Sequence, residues 1–271
     1  MLSSITFGRF FPCNSLIHKL DPRVKVILMA ALLVLIFLSR NYLALFINIA
    51  AIFIFMALTK IPLKTYFKSM KYILFIVLFT SVLNVFYAQG EPLLQMGPIV
   101  ITRHALGNSV FVAMRLVMLI LTSSLLTFTT TPTDLTDALE RLAKPLAVFK
   151  IKTHELAMMM TIALRFIPTI LEEADKIAAA QKARGANMET GNLVKRVKAI
   201  VPILVPLFIS SFRRAYDLSN AMECRCYKGG DGRTRMKTLH VHPLDIFAII
   251  VVGSIYALVL LSNVLLPAVS I

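Results

Sequence analysis

Runs of apolar residues dominate the chain, and their lengths match the hydrocarbon thickness that a membrane-crossing helix must cover, about 17–25 residues. Such runs lie at 24–38, 42–58, 72–87, 105–128 and 244–266, each bounded by charged, Pro-containing or Gly-containing turns. Only Ser39, Arg40 and Asn41 separate the first two. Between the fourth and fifth lies a charged stretch of more than a hundred residues. The pattern predicts an all-α, polytopic membrane protein with about five transmembrane helices and a helical region inserted before the last of them. Its domains are then 1–128, a membrane domain of four spans; 129–243, a coupling domain with two long helices; and 244–271, the final span.

Two further apolar stretches, 156–171 and 200–212, fall inside the inserted region. The first holds Arg165 and Pro168, and the second holds Pro202 and Pro206, where each ring removes a backbone donor. If both crossed the membrane, residues 172–199, with Lys176, Lys182, Arg184, Lys195, Arg196 and Lys198, would face outward, against the bias of Lys and Arg toward the cytoplasm. They are therefore set apart as helices that bury an apolar face at the membrane boundary or on another protein. Along the first, Leu156, Met160, Ala163, Ile167 and Leu171 recur at three- and four-residue steps, and Met159 adds a flexible neighbour suited to varied partners. The alternative is that this stripe packs only within the chain.

Charge then orients the chain. The sequence holds 29 Lys and Arg against 14 Asp and Glu, a formal +15, with 58% hydrophobic residues. The segment before the first span carries Arg9, Lys19, Arg23 and Lys25, and the loop after the second carries Lys60, Lys64, Lys68 and Lys71. Both sides are expected to be cytoplasmic, together with 129–243, and the C-terminus external. A membrane location accounts for the positive charge without nucleic acid. The N-terminus has charges throughout and no small-residue cleavage site, so no signal peptide is expected. Cys13, Cys224 and Cys226 give no disulfide framework.

A shift of 41 residues aligns Ala174 with Ala215, Ala180 with Ala221 and Arg184 with Arg225, while Glu172 and Glu173 fall on Arg213 and Arg214. The reading is two similar helices, each ending in an arginine among small residues. Ala183-Arg184-Gly185 is ordinary helix punctuation, a cation at the negative end and a Gly able to turn left-handed. Two such ends in one region favour docking, since a guanidinium fork fits a partner's carboxylates or carbonyls. The inverted charges predict that Glu172 or Glu173 pairs with Arg213 or Arg214 where the helices cross.

Other groups have plainer expectations. Asp21, Arg23 and Lys25 form either a membrane-edge ion network or an entry turn made by Pro22. Arg115 has a structural role. Thr129 to Thr131 and Pro132 end one helix, and Thr133 caps the next. Cys224-x-Cys226 with His240-x-His242 departs from zinc-finger spacing, so no metal site is expected. A rival class is a membrane-embedded lipid or isoprenoid transferase, with Asp134, Asp137, Glu172, Glu173 and Asp175 holding magnesium against a pyrophosphate. A stand-alone secondary transporter would need charges at mid-membrane, and the spans hold little beyond Arg115.

SLIHKLDPRVK (15–25), ITRHALGNSVFVAMRL (101–116), TTTPTDLTDALERLAKPL (129–146), ELAMMMTIALRFIPTILEEADKIAAAQKARGA (155–186) and RRAYDLSNAMECRCYKGGDGRT (213–234) together resemble, in order, the transmembrane T component of energy-coupling factor (ECF) transporters, the EcfT/CbiQ family. The resemblance implies a non-catalytic scaffold in the plasma membrane of a prokaryotic cell. It would connect two ABC-type ATPase subunits to a substrate-binding S component for uptake of a vitamin or other micronutrient. Ala183, Arg184 and Gly185 would dock one ATPase, and Cys224, Arg225 and Cys226 the other. The second site departs from the family's Ala-Arg-Gly, which puts the left-handed closure there in question. No phosphate-binding Gly-rich Lys-Ser/Thr loop occurs, so the chain carries no cofactor, and ATP with magnesium would sit on the partners. Membrane lipids are the remaining expected partner.

Overall fold

The computed structural model describes residues 10–87, 92–96, 99–149, 152–186, 193–229, 240 and 242–266. Among the described residues there are eight α-helices, seven of them on the apolar stretches and α5 between them: α1 (Pro22–Leu38), α2 (Tyr42–Leu58), α3 (Leu63–Tyr87), α4 (Arg103–Thr129), α5 (Pro132–Leu142), α6 (Thr153–Ala183), α7 (Leu193–Cys224) and α8 (Pro243–Leu265). A 3₁₀ turn, Lys144–Phe149, precedes α6. The protein is an all-α polytopic membrane protein. One feature lies outside the helical pattern: strands β1 (Pro92–Met96) and β2 (Ile99–Thr102) pair antiparallel between α3 and α4. The chain divides into two compact units, one holding Arg9–Ala138 with Thr238–Ile271, the other Leu139–Lys237.

In the first unit α4 packs against α1, α2 and α3, and α8 lies on α1 and α2. The core is large and apolar, with Leu35, Ile36, Met56, Phe111, Met118, Phe128 and Val259 all buried. Tyr66 meets the edge of Phe128 at 5.1 Å, and its hydroxyl shares a hydrogen bond with Thr59 Oγ1 at 3.1 Å. Phe46, Phe75, Phe79 and Phe247 stand exposed on the outside, as a bundle solvated by hydrocarbon permits.

Length and composition alone admit four crossing helices among the described residues: Ala105–Thr129 within α4, Thr153–Ala183, Lys198–Cys224 within α7, and Pro243–Leu265. A fifth appears if Tyr42–Leu58 and Leu63–Lys71, bent by 120°, count as one broken span. This set admits α6 and α7, which charge sets apart. It omits α1, whose 17 residues reach about 26 Å along a helix axis. α6 carries Arg165, Glu172, Glu173, Asp175 and Lys176 on the helix that length alone would put across the bilayer.

The ends of the first unit are closed by long-range polar contacts. Asp21 caps α1, its Oδ1 accepting Arg23 N–H at 2.9 Å, with Pro22 at the first helical position. Asp21 N–H donates in turn to Asp245 Oδ1 at 2.9 Å, and His242 N–H donates to Asp245 Oδ2 at 2.6 Å. Buried Lys25 Nζ donates to the carbonyls of His18 and Thr129, both at 3.1 Å. The entry turn at Pro22 thus carries an ion pair between Asp21 and Arg23 at 3.4 Å, while Lys25 bonds carbonyls in place of joining that pair. The cap of α5 is Thr131, not Thr133: Thr131 Oγ1 accepts Asp134 N–H at 3.1 Å and donates to Asp134 Oδ2 at 2.7 Å. Pro132 occupies the first helical position, which moves the cap two residues earlier.

At the other ends of α1, α2 and α8, the loop Ser39-Arg40-Asn41 is tied to the last turn of α8. Asn41 Nδ2 donates to the carbonyls of Ser262 and Leu266, and Asn263 Nδ2 to that of Leu38. Arg115 Nη2 donates to Ser39 O at 2.7 Å while its guanidinium lies over the Phe111 ring, 4.8 Å from the centroid.

His18, ahead of α1, donates from Nε2 to Phe11 O at 3.0 Å and meets Ser15 Oγ at 2.6 Å through Nδ1. Burial, with Lys25 adding to it, pushes this imidazole below its ordinary 6.5, against the pull of the Phe11 carbonyl. The unfolded chain therefore takes up this proton at a higher pH than the folded one. Stability should fall as the pH drops below 6.5. In detergent, His18→Gln should lose less of its thermal midpoint on acidification from about pH 7.5 to about pH 5.5 than the parent does.

Candidate functional site

The second unit is built on α6 packed against α7. Glu173 Oε2 lies 2.6 Å from Arg214 Nη2, and Glu173 Oε1 accepts from the Ser210 hydroxyl. The Arg214 guanidinium also faces the Phe166 ring at 6.0 Å. The bonded residues are the ones a 41-residue shift superimposes. Glu172 and Arg213, the neighbouring pair in that alignment, are exposed. Exchanging the charges tests what the contact does: Glu173→Arg alone should weaken the helix pair, and adding Arg214→Glu should restore it. Because both side chains are part-exposed, the single change should cost about 0.2–1 kcal/mol, read from the thermal midpoint of the detergent-purified chain. Equal midpoints for the single and double variants would remove any role for the pair in fixing the crossing.

Both helices end in the same backbone closure. At the end of α6, Arg184 is the cap, Gly185 takes φ +89°, Gly185 N–H reaches Lys182 O at 3.0 Å, and Ala186 N–H reaches Gln181 O at 3.0 Å. This is a Schellman motif, with the left-handed residue just past the cap. At the end of α7, Cys226 takes φ +54°, Cys226 N–H reaches Glu223 O at 2.8 Å, and Tyr227 N–H reaches Met222 O at 3.1 Å. The two bonds are equivalent position for position, with Arg225 in the place of Arg184. The closure therefore forms at the second end without glycine there, and Gly229, at φ +93°, adds a later turn.

A cysteine in this conformation is disfavoured by roughly 1–2 kcal/mol. Glycine would relieve that and lose about 0.4–1 kcal/mol to the greater freedom of the unfolded chain. Cys226→Gly is thus expected to stabilise by about 0.5–1 kcal/mol, seen as a higher thermal midpoint. A lower midpoint would mean that the cysteine side chain makes contacts worth more than the strain.

Ala183, Arg184, Gly185, Cys224, Arg225 and Cys226 are all exposed, so both guanidiniums stand at the surface of this unit. On α6, Leu156, Met159, Met160 and Ala163 are exposed while Ile167 and Leu171 are half-buried. The apolar stripe thus opens toward the start of the helix. α7 adds an exposed apolar face, including Leu204, Phe208 and Phe212, with Phe208 and Phe212 ring centroids 4.6 Å apart. His154 Nδ1 lies 3.0 Å from Glu140 Oε1, joining the start of α6 to the end of α5.

Glu173 is engaged by Arg214 and Ser210, Asp134 by Thr131, and among the described residues no three His, Cys, Asp or Glu side chains converge to hold an ion. Sequence reasoning missed Asp245, bonded to Asp21 across 224 residues, and the hydrogen bond of Lys25 to Thr129 across 104. The exposed face of α7 falls on the apolar stretch 200–212 that the sequence sets apart, at Leu204, Phe208 and Phe212.

The family model described as cobalt transport protein, CbiQ, matches residues 13–238. A relative from Ruminiclostridium cellulolyticum is 48% identical over 246 residues, covering 91% of this chain and 92% of its own length. The chain belongs to the EcfT/CbiQ family. That relative is named energy-coupling factor transporter transmembrane protein EcfT, as is one from Clostridium kluyveri, 48% identical with 92% and 93% covered. A third EcfT, from Thermosediminibacter oceani, is 46% identical with 93% and 95% covered. These EcfT relatives are named as membrane components of transporters, and the chain is accordingly a transporter component and not an enzyme. The lipid or isoprenoid transferase alternative is set aside on that ground.

Proposed function

We propose that the chain is the membrane scaffold of an ECF-type importer in the plasma membrane of a prokaryotic cell. The ends of α6 and α7 each dock one cytoplasmic ABC-type ATPase subunit, through Arg184 and Arg225. One observation carries this reading: two packed helices of one chain close with the same bonds and present an exposed arginine at the same position of the closure. A dimer of ATPases needs two equivalent contacts, and a fork of five donors at each helix end suits a partner's carboxylates or carbonyls. The N-terminus and the region 129–243 face the cytoplasm, by the distribution of Lys and Arg. α1, α2, α3, α4 and α8 cross the membrane, and α6 and α7 lie at its boundary. The exposed part of the α6 stripe, Leu156, Met159, Met160 and Ala163, receives the S component. The S component binds the vitamin or other micronutrient, and the ATPases bind ATP and magnesium, so this chain holds no cofactor of its own.

Affinity purification of the tagged chain from its own cells in mild detergent tests this directly. Two ATPase subunits and a small membrane protein should accompany it. Recovery of the chain without any nucleotide-binding subunit would overturn the assignment.

A further inference from the structure

The two helix ends share one backbone closure and differ in chemistry, and that difference is unaccounted for by docking. At α6 the left-handed position is glycine, which takes φ +89° without penalty, and the residue before the arginine is alanine. At α7 both places are cysteine, and Cys226 holds φ +54° against the steric preference of an L-residue. A residue kept in a costly conformation where its counterpart uses glycine points to a use for its side chain. Both thiols are free and exposed, one on each side of Arg225, while the remaining cysteine, Cys13, is half-buried in the other compact unit.

We propose that Cys224 and Cys226 form a reversible oxidation site, in which a hydroperoxide closes an intramolecular disulfide that withdraws Arg225 from its docking position. The inference rests on the reading of the α7 end as an ATPase contact in the cytoplasm, where disulfides are transient and serve sensing. Cα atoms two residues apart in a helix are about 5.4 Å apart, within the disulfide range of about 4.4–6.8 Å. Cys224 stands in the last turn of the helix and Cys226 holds the left-handed position just past its cap, and the bonds of the closure fix both in those places. Closing the bond therefore requires the last turn to rotate, giving up the bonds from Cys226 N–H to Glu223 O and from Tyr227 N–H to Met222 O. Those two bonds set where Arg225 stands. α6 has no thiol at its end, so only one of the two contacts responds.

The chemistry balances with the peroxide as the sole oxidant. One thiolate attacks a peroxide oxygen and breaks the O–O bond, giving a sulfenic acid and releasing water or an alcohol. The second thiolate attacks that sulfur and expels hydroxide, which takes up the proton. Two thiols have lost two electrons and two hydrogens, and the peroxide has gained them. A small dithiol reverses the step by exchange, and an exposed, strained disulfide is the readily reduced kind. A docked end is covered and an oxidised end cannot dock, so ATPase binding and oxidation oppose one another reciprocally.

Peptide mapping of the full-length chain decides the chemistry. Trypsin cuts after Arg225, so the two cysteines leave on separate peptides unless a disulfide joins them. In a Cys13→Ser background, hydrogen peroxide should produce the joined pair, lighter by two hydrogens, and dithiothreitol should release it. Alkylation of both thiols after peroxide, or oxidation only to sulfinic acid, would overturn the proposal. ATPase subunits retained by the complex should fall several-fold after peroxide, and the treated-to-untreated ratio should stay near one in Cys224→Ala/Cys226→Gly. Undiminished retention by chain mapped as disulfide would overturn the effect on Arg225. If untreated chain holds no ATPase at all, the docking assignment fails with that effect, while the peptide map separately upholds or overturns the disulfide.

Discussion

Alanine at both Arg184 and Arg225 is expected to abolish recovery of ATPase subunits with the chain and, in cells, the uptake that depends on them. The closures of α6 and α7 use backbone groups alone, from Lys182, Gln181, Glu223 and Met222. Removing either exposed guanidinium therefore leaves the helix end intact. Truncating one member of a desolvated, hydrogen-bonded charge pair in an interface costs about 2–5 kcal/mol, about 30-fold or more in affinity for each arginine. Each single variant should weaken retention, and the double variant should leave none. Lysine at either position keeps the charge and loses the fork, so Arg184→Lys should fall between parent and alanine. The measurement is the amount of ATPase co-purified at fixed detergent and salt, beside the thermal midpoint of the chain alone. Unchanged midpoints with lost ATPase place the effect at the contact. Parental retention and uptake by the double alanine variant would remove both helix ends from the mechanism.

Much of this site was legible locally, because helix ends are written in consecutive residues. Ala183-Arg184-Gly185 announces its closure, and the shift that overlays Arg184 on Arg225 also overlays Glu173 on Arg214, which the structure joins at 2.6 Å. The equivalent closure at Cys226 was not legible, since an L-residue at positive φ has no sequence signature and is held there by its surroundings. Nor was the extent of α7 legible: the helix runs on through Pro202 and Pro206, either of which could have ended it. The membrane bundle shows the same division. Its helices follow from the lengths of apolar runs, whereas the bonds that lock its ends join residues far apart in sequence. Asn41 reaches Ser262, and Asp21 reaches Asp245. Periodicity reports which face is apolar and carries no information about which distant carbonyl a lysine will find.

Lys25→Met is the change expected to cost the fold most. The side chain keeps its length, and the ammonium disappears from a site where Lys25 is only 5% exposed. Two carbonyls, His18 O before α1 and Thr129 O at the end of α4, lose their donor together. Asp134, Asp245 and Asp21 lose the cation that attracts all three. Asp245 is fully buried and its carboxylate is held by the backbone of Asp21 and His242, so it cannot turn to water. Breaking a buried charged arrangement by removing one partner costs about 3–5 kcal/mol, more than the transfer gain of an apolar side chain returns. The thermal midpoint in detergent should drop by about 10 °C, while Lys19→Met, at an exposed position nearby, should leave it unchanged. Asp245→Asn should also destabilise, since an amide offers one acceptor oxygen where the carboxylate offers two. If Lys25 and Asp245 act through one network, the double variant must lose less than the sum of the single losses. Strict additivity would mean that the lysine clamps α1 to α4 independently of the aspartate that joins α1 to α8. A parental midpoint for Lys25→Met would deny that the clamp stabilises the bundle at all.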